Sequence, residues 1–163
     1  MSEPSSLTRG STILLQVIVV LIGIGVLTFL LWEPHLEGRN AHATTFEIYF
    51  KDPFLAYAYL GSIAFFVALA QTFKLLGAIR RGSVFSPDSL KALRIIKYCG
   101  VILVAMVGAA VAYLFIAMRG KDDIAGGVAM GLFVIVVSAA IATTAGVFER
   151  RLQSAPQMKS SNA

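Results

Sequence analysis

Four long stretches of this chain contain no charged residue, and they restrict its fold more than any other feature. They cover residues 10–32, 53–73, 98–118 and 124–148. A bilayer core is about 30 Å thick, and a helix needs about 20 apolar residues to cross it. Each stretch has this length, and none alternates apolar and polar residues as the strands of a membrane barrel do. The sequence therefore predicts an all-α membrane protein with four spans.

The predicted architecture is an integral membrane four-helix bundle that forms a single domain over residues 1–163. Its predicted spans are about residues 11–32, 53–76, 98–118 and 124–148. The first apolar stretch is about twice as long as that of a secretory signal, so we expect it to be retained. The end segments, 1–10 and 154–163, have little apolar surface to bury, and we predict that they are disordered.

The distribution of Lys and Arg predicts the orientation in the membrane. The side that would hold both tails and the second connection carries 10 of these residues, and the other side carries 4. Short loops rich in Lys and Arg stay in the cytoplasm. We therefore expect a multi-pass protein of a bacterial inner membrane with both termini in the cytoplasm. The net charge of +5 then reflects orientation and attraction to anionic head groups, not nucleic-acid binding.

The uncharged stretches also lack His, which removes most of the chemistry that membrane enzymes and pumps use. Proton-coupled transport needs an ionisable group at membrane depth, haem ligation needs histidines on facing helices, and thiol exchange needs two cysteines. Cys99 is alone, and both histidines, His35 and His42, follow the first span at a spacing that fits no metal-site template. We predict no enzyme activity, catalytic residue, cofactor or metal.

The small residues and the polar residues inside the spans can each be explained by helix packing or by a second role. Gly127 and Gly131 form a GxxxG motif that suits close helix packing, within the bundle or in a homo-oligomer, and we favour the first. Polar side chains such as Gln16, Gln71 and Thr72 suit packing or bonds to backbone carbonyls. The alternative is that they line the path of a small oligomeric permease or channel.

The connection between the second and third spans contains signals for the end of one helix and the start of another. The residues predicted to form the turn and its caps are Gly82, Ser86, Pro87 and Asp88. The glycine suits the position after a helix end, the serine an N-cap, the proline the first helical position and the aspartate the first turn. The turn would then be residues 82–85. Both flanking helices would leave the membrane as a hairpin over residues 74–98.

Basic residues surround this turn. Arg80 and Arg81 precede it, and Lys91, Arg94 and Lys97 form a basic face on the following helix. That helix either extends the third span into the cytoplasm or lies flat on the head groups, and the short turn favours the extension. Both arrangements place basic side chains near anionic lipid, which stabilises by about 1 kcal/mol each. These five residues are the candidate site for lipid or a protein partner.

The run "VFSPDSLKALRII" resembles the central motif of a family of small four-span bacterial membrane proteins that carry a domain of unknown function. The matching residues are Phe85, Ser86, Leu93, Arg94 and Ile96. Ser89 stands where the family's pattern has Asn, and the acidic C-terminal end of many members is missing. The resemblance implies the four-span fold. It also implies a regulatory or partner-binding role, because members are encoded beside helix-turn-helix regulators.

Taken together, these features predict a non-enzymatic regulatory or binding protein of the inner membrane. Its expected partners are anionic head groups on the cytoplasmic side and a protein at the hairpin, residues 74–98. No direct contact with nucleic acid is expected.

Overall fold

The computed structural model describes residues 6–36, 53–117 and 125–161, with side chains at 10–32, 56–116 and 125–154. In these ranges the chain forms four helices and no strand. They are α1 (Ser6–Leu36), α2 (Pro53–Arg80), α3 (Pro87–Ala117) and α4 (Ala125–Ser161). All four are long and apolar enough to cross a membrane. The predicted all-α membrane fold is confirmed.

The helices are longer at both chain ends than the sequence suggests. α1 begins at Ser6 and α4 runs to Ser161, so helical backbone covers parts of the two segments for which we predicted disorder. Extending an existing helix costs far less than starting one. The loop that contains His42 lies outside the described residues.

Each helix packs mainly against its neighbour in the chain. The interface between α3 and α4 is the largest, followed by α2 with α3 and then α1 with α2. Many large apolar side chains face outward along the spans; Leu14 and Phe29 of α1 are 62% and 63% exposed. Lipid tails are as apolar as these side chains, so a membrane gives no hydrophobic reason to bury them.

The main cluster of buried apolar side chains lies at the end of the molecule that contains the α2–α3 turn. It consists of Leu93, Ile96, Ala145 and Leu152, with Leu75, Val84 and Leu90 packed against it. Leu152 lies beyond the uncharged stretch of α4, so α4 also extends past the membrane and packs on the hairpin. Water drives apolar burial at this end, whereas lipid does not.

Glycines allow α3 and α4 to approach closely within the spans. A Cβ atom added at Gly100 would lie 2.8 Å from the Cβ of Ala142 and 3.0 Å from the carbonyl oxygen of Ser138. A Cβ at Gly127 would lie 3.4 Å from Leu114, and one at Gly131 would overlap Val111. The GxxxG motif therefore faces α3 of the same chain.

Polar side chains in the spans bond to backbone carbonyls. The hydroxyls of Thr28, Ser62 and Thr72 donate to the carbonyls of Ile24, Tyr59 and Ala68 at 2.8, 2.7 and 2.9 Å. Gln16 donates from α1 to the Phe73 carbonyl of α2 at 3.3 Å, and Tyr57 donates from α2 to the Met106 carbonyl of α3 at 2.9 Å. These bonds satisfy groups that apolar surroundings would otherwise leave unpaired.

Gly100→Ala should destabilise the protein by about 1–3 kcal/mol, because the new methyl group must push α3 away from α4. Gly108→Ala in the same helix is the matched control, since a Cβ there meets no atom within 4 Å. Alanine favours helix at both sites equally, so the control should be neutral or slightly stabilising. Thermal unfolding in detergent, followed by circular dichroism, measures the difference. Equal midpoints for the two variants would contradict the close approach.

Candidate functional site

The α2 helix ends in a glycine-capped turn. Gly82 has a φ of 70°, in the left-handed region that glycine adopts without strain. Its N–H donates to the Ile79 carbonyl at 3.0 Å, and the N–H of Ser83 donates to the Ala78 carbonyl at 2.9 Å. This pair of bonds defines the Schellman motif. Gly82 therefore occupies the position after the end of α2 that the sequence indicates.

The α3 helix begins with a serine cap. The Ser86 hydroxyl accepts a hydrogen bond from the Ser89 N–H at 3.3 Å, which satisfies one of the free donors of the first turn. The hydroxyl of Ser89, only 2% exposed, also donates to the Ser83 carbonyl at 3.3 Å. Ser89 therefore ties the cap to the turn, a role that the sequence analysis missed.

The turn and the hairpin have the predicted arrangement. α2 ends at Arg80 and α3 begins at Pro87, so the non-helical residues are 81–86, one more at each end than predicted. Pro87 occupies the first helical position and Asp88 the first turn. α3 is one continuous helix from Pro87 to Ala117. The basic face thus extends the third span and does not lie flat as a separate segment.

The basic face meets a carboxylate on α4. Arg94 Nε lies 2.9 Å from Glu149 Oε1, and Lys97 Nζ lies 2.6 Å from Glu149 Oε2. The Glu149 side chain is 6% exposed, whereas those of Arg94 and Lys97 are 54% and 32% exposed. Gly146 provides the space, since a Cβ there would lie 3.3 Å from Lys97 Cδ. Lys97 crosses α4 at this glycine to reach the carboxylate.

Glu149 comes directly after the uncharged stretch of α4, at the predicted end of the fourth span. It is 24 residues after Ala125, which is about 36 Å of helix against a core of about 30 Å. The hydrogen bonds from Lys97 and then Arg94 lower the pKa of the Glu149 carboxyl below its ordinary value, and they outweigh the opposing effect of burial. The carboxyl is therefore ionised at neutral pH.

These ion pairs divide the candidate site into two parts. Arg94 and Lys97 hold α4, whereas Arg80, Arg81 and Lys91 are exposed and take part in no ion pair with the residues that the structure describes. Glu149 was not among the residues predicted from the sequence. A usable signal was present, because Glu149 is the only acidic residue after Asp123 and comes directly after the last apolar stretch.

Comparison with known proteins gives the family. Residues 35–163 match a family described as "Protein of unknown function (DUF2975)". The chain belongs to this family. It is also 36% identical over 157 residues to an "Uncharacterized membrane protein YoaS" of Bacillus subtilis (strain 168), covering 96% of this chain and 98% of that protein. No solved structure matches the chain. The resemblance inferred from the hairpin motif is confirmed.

The structure gives a role to four of the five residues on which the sequence resemblance was based. Leu93 and Ile96 belong to the buried cluster, Arg94 pairs with Glu149, and Ser86 caps α3. Phe85 is different, because it is 72% exposed in the turn. Packing against the side chains that the structure describes gives no reason for a phenylalanine at this position.

Glu149→Gln should destabilise the folded protein by about 1–3 kcal/mol at neutral pH, because two charge-assisted hydrogen bonds are weakened. Since folding lowers the Glu149 pKa, its stabilisation is present above the unfolded pKa of about 4.3 and is lost as pH falls through the folded pKa. The difference between wild type and Glu149→Gln should therefore disappear in acid. Thermal unfolding at several pH values tests this. Arg150→Gln, at an exposed neighbour, is the control, and an equal loss in it would contradict the role of Glu149.

Proposed function

We propose that this is a non-enzymatic regulatory protein of the bacterial inner membrane that binds a protein partner at the tip of the α2–α3 hairpin. The tip consists of Arg80, Arg81 and Phe85. The observation that carries the proposal is the exposure of Phe85, at 72%, between helices whose other motif residues are used in folding. Aromatic and Arg side chains contribute a large share of the energy at protein interfaces.

The tip is well placed for a soluble partner. The uncharged stretch of α2 ends at Phe73, and seven more helical residues lead to Arg80, which adds about 10 Å of helix beyond the lipid. The charge of the tip suits a partner that has an apolar pocket with acidic residues around it. On the orientation that Lys and Arg indicate, this partner is cytoplasmic, as are both termini.

The tip is also held rigidly. A Schellman motif closes one side of the turn and a serine cap the other, while Val84 packs on the buried cluster below it. A preorganised surface loses less conformational entropy on binding than a flexible loop does. This rigidity favours a docking role over that of a passive connection.

The alternative function, a small permease or channel, receives less support. Gln16 and three of the Ser and Thr hydroxyls in the spans bond to backbone carbonyls. These groups then contribute to helix packing and have less capacity left to coordinate a solute.

In-cell photo-crosslinking from position 83 tests partner docking. We expect a discrete crosslinked species that is lost in Phe85→Ala and Arg80→Glu, because these changes remove the apolar anchor and reverse a tip charge. Arg150→Glu is the matched control, since it reverses an exposed charge on α4 and should retain the species. Arg94 and Lys97 are left unchanged in this experiment, because both form ion pairs with Glu149 and their substitution would alter the fold. Absence of a discrete species, or equal loss in the control, would reject the proposal.

The orientation is tested separately by cysteine labelling in a Cys99→Ala background. A cysteine at position 83 should resist a membrane-impermeant reagent added to intact spheroplasts, because the hairpin is cytoplasmic. A cysteine at position 42 should react. The opposite pattern would overturn the predicted topology.

A further inference from the structure

A groove of about 710 Å³ lies between α2 and α3 along the hairpin. Its size is within the range of about 300–1,000 Å³ that is usual for small-molecule sites. The side chains that matter here are Lys74, Leu75, Arg81, Asp88, Lys91 and Ile95. We propose that this groove binds one anionic phospholipid, with the phosphate among the cations and the glycerol end of the acyl chains against the apolar residues. The proposal does not depend on partner docking at the tip.

The groove has an excess of positive charge. Lys74 and Arg81 of α2 and its turn face Lys91 of α3, and Asp88 is the one carboxylate in the lining. Among the described side chains, ion pairs join only Arg94 and Lys97 to Glu149, on the α4 side of the hairpin. The three groove cations are therefore not used in ion pairs with the described side chains. Cationic pockets at a membrane surface are suited to phosphate head groups.

The groove also changes in polarity along its length. Lys74 and Leu75 come directly after the uncharged stretch that ends at Phe73, and Ile95 of the antiparallel α3 lines the same groove. Arg81 and the hydroxyls of Ser83 and Ser86 line the end near the turn. Leu75 and Ile95 thus lie at the membrane end of the groove, beside Gln71 and Lys74, and the hydroxyls lie at the turn end.

This order distinguishes between the sources of phosphate. A phospholipid has its acyl chains towards the bilayer and its phosphate towards water, and the groove offers Leu75 and Ile95 at its membrane end with Lys91 and Arg81 closer to the turn. A free phosphate ion has no apolar part that Leu75 and Ile95 could contact. Lys74 also lies where its apolar stem can follow the lipid while its ammonium reaches the head-group level.

Native mass spectrometry of the purified full chain with added dioleoyl phosphatidylglycerol tests the site. The wild-type protein should bind the first molecule of dioleoyl phosphatidylglycerol more tightly than it binds dioleoyl phosphatidylcholine. Lys74→Gln/Lys91→Gln should weaken that first binding about tenfold or more, because two cations near the phosphate are lost. Arg150→Gln/Arg151→Gln is the matched control, since it removes the same charge from exposed positions on α4. It should leave the affinity unchanged.

Asp88→Asn provides a test in the opposite direction. Removing the carboxylate from the groove should strengthen phosphatidylglycerol binding, a gain that a misfolded variant cannot produce. The lysine and arginine variants should unfold at the wild-type temperature without lipid, since the exchanged side chains are exposed. Asp88→Asn should unfold at a slightly lower temperature, because a carboxylate in the first turn of α3 stabilises the helix.

Three results would overturn the proposal. They are equal weakening in the α4 control, equal binding of phosphatidylcholine, and displacement of the lipid by millimolar inorganic phosphate. The last would show that the groove takes a free anion. The crosslinking variants change Arg80 and Phe85, which do not line the groove, and the lipid variants change Lys74 and Lys91, which are not part of the tip. Loss of the lipid result would therefore leave partner docking standing, and the reverse also holds.

Discussion

The ion pairs from Arg94 and Lys97 to Glu149 join α3 to α4 beside the ends of their uncharged stretches, where the sequence predicts that both helices leave the lipid. Within the membrane these helices are held by close approach at glycines, such as Gly100 against Ala142. Outside it, water favours the burial of Leu93, Ile96 and Leu152. The charges lie at the boundary between the two regimes. They hold α4 against α3 of the hairpin, and this contact determines the shape of the exposed end of the molecule.

That end is therefore a three-helix unit, although only two of its helices come from the hairpin. α4 supplies Glu149 and Leu152, and the hairpin supplies the capped turn. The two surfaces of the hairpin can then have separate roles. The side towards α4 is used for folding, while the tip with Phe85 and the groove with Lys74 and Lys91 remain accessible.

The sequence predicted the parts of this structure that depend on local signals. The lengths of the spans, the glycine at the end of α2 (Gly82) and the N-cap of α3 (Ser86) are all visible in short local stretches of sequence. The four helices and the position of the turn could therefore be predicted. Glu149 was missed because the sequence does not say which helix faces the basic surface. Ser89 and the groove were missed for the same reason, since both depend on how distant segments pair.

The central claim is that α4 holds the hairpin in one rigid position through Glu149. Pulsed electron paramagnetic resonance in lipid nanodiscs measures the distance between spin labels at position 83, on the turn, and position 151, on the exposed surface of α4. The account predicts one narrow distance distribution in wild type that broadens in Glu149→Gln. A distribution that is already broad in wild type, or one that Glu149→Gln leaves unchanged, would contradict it.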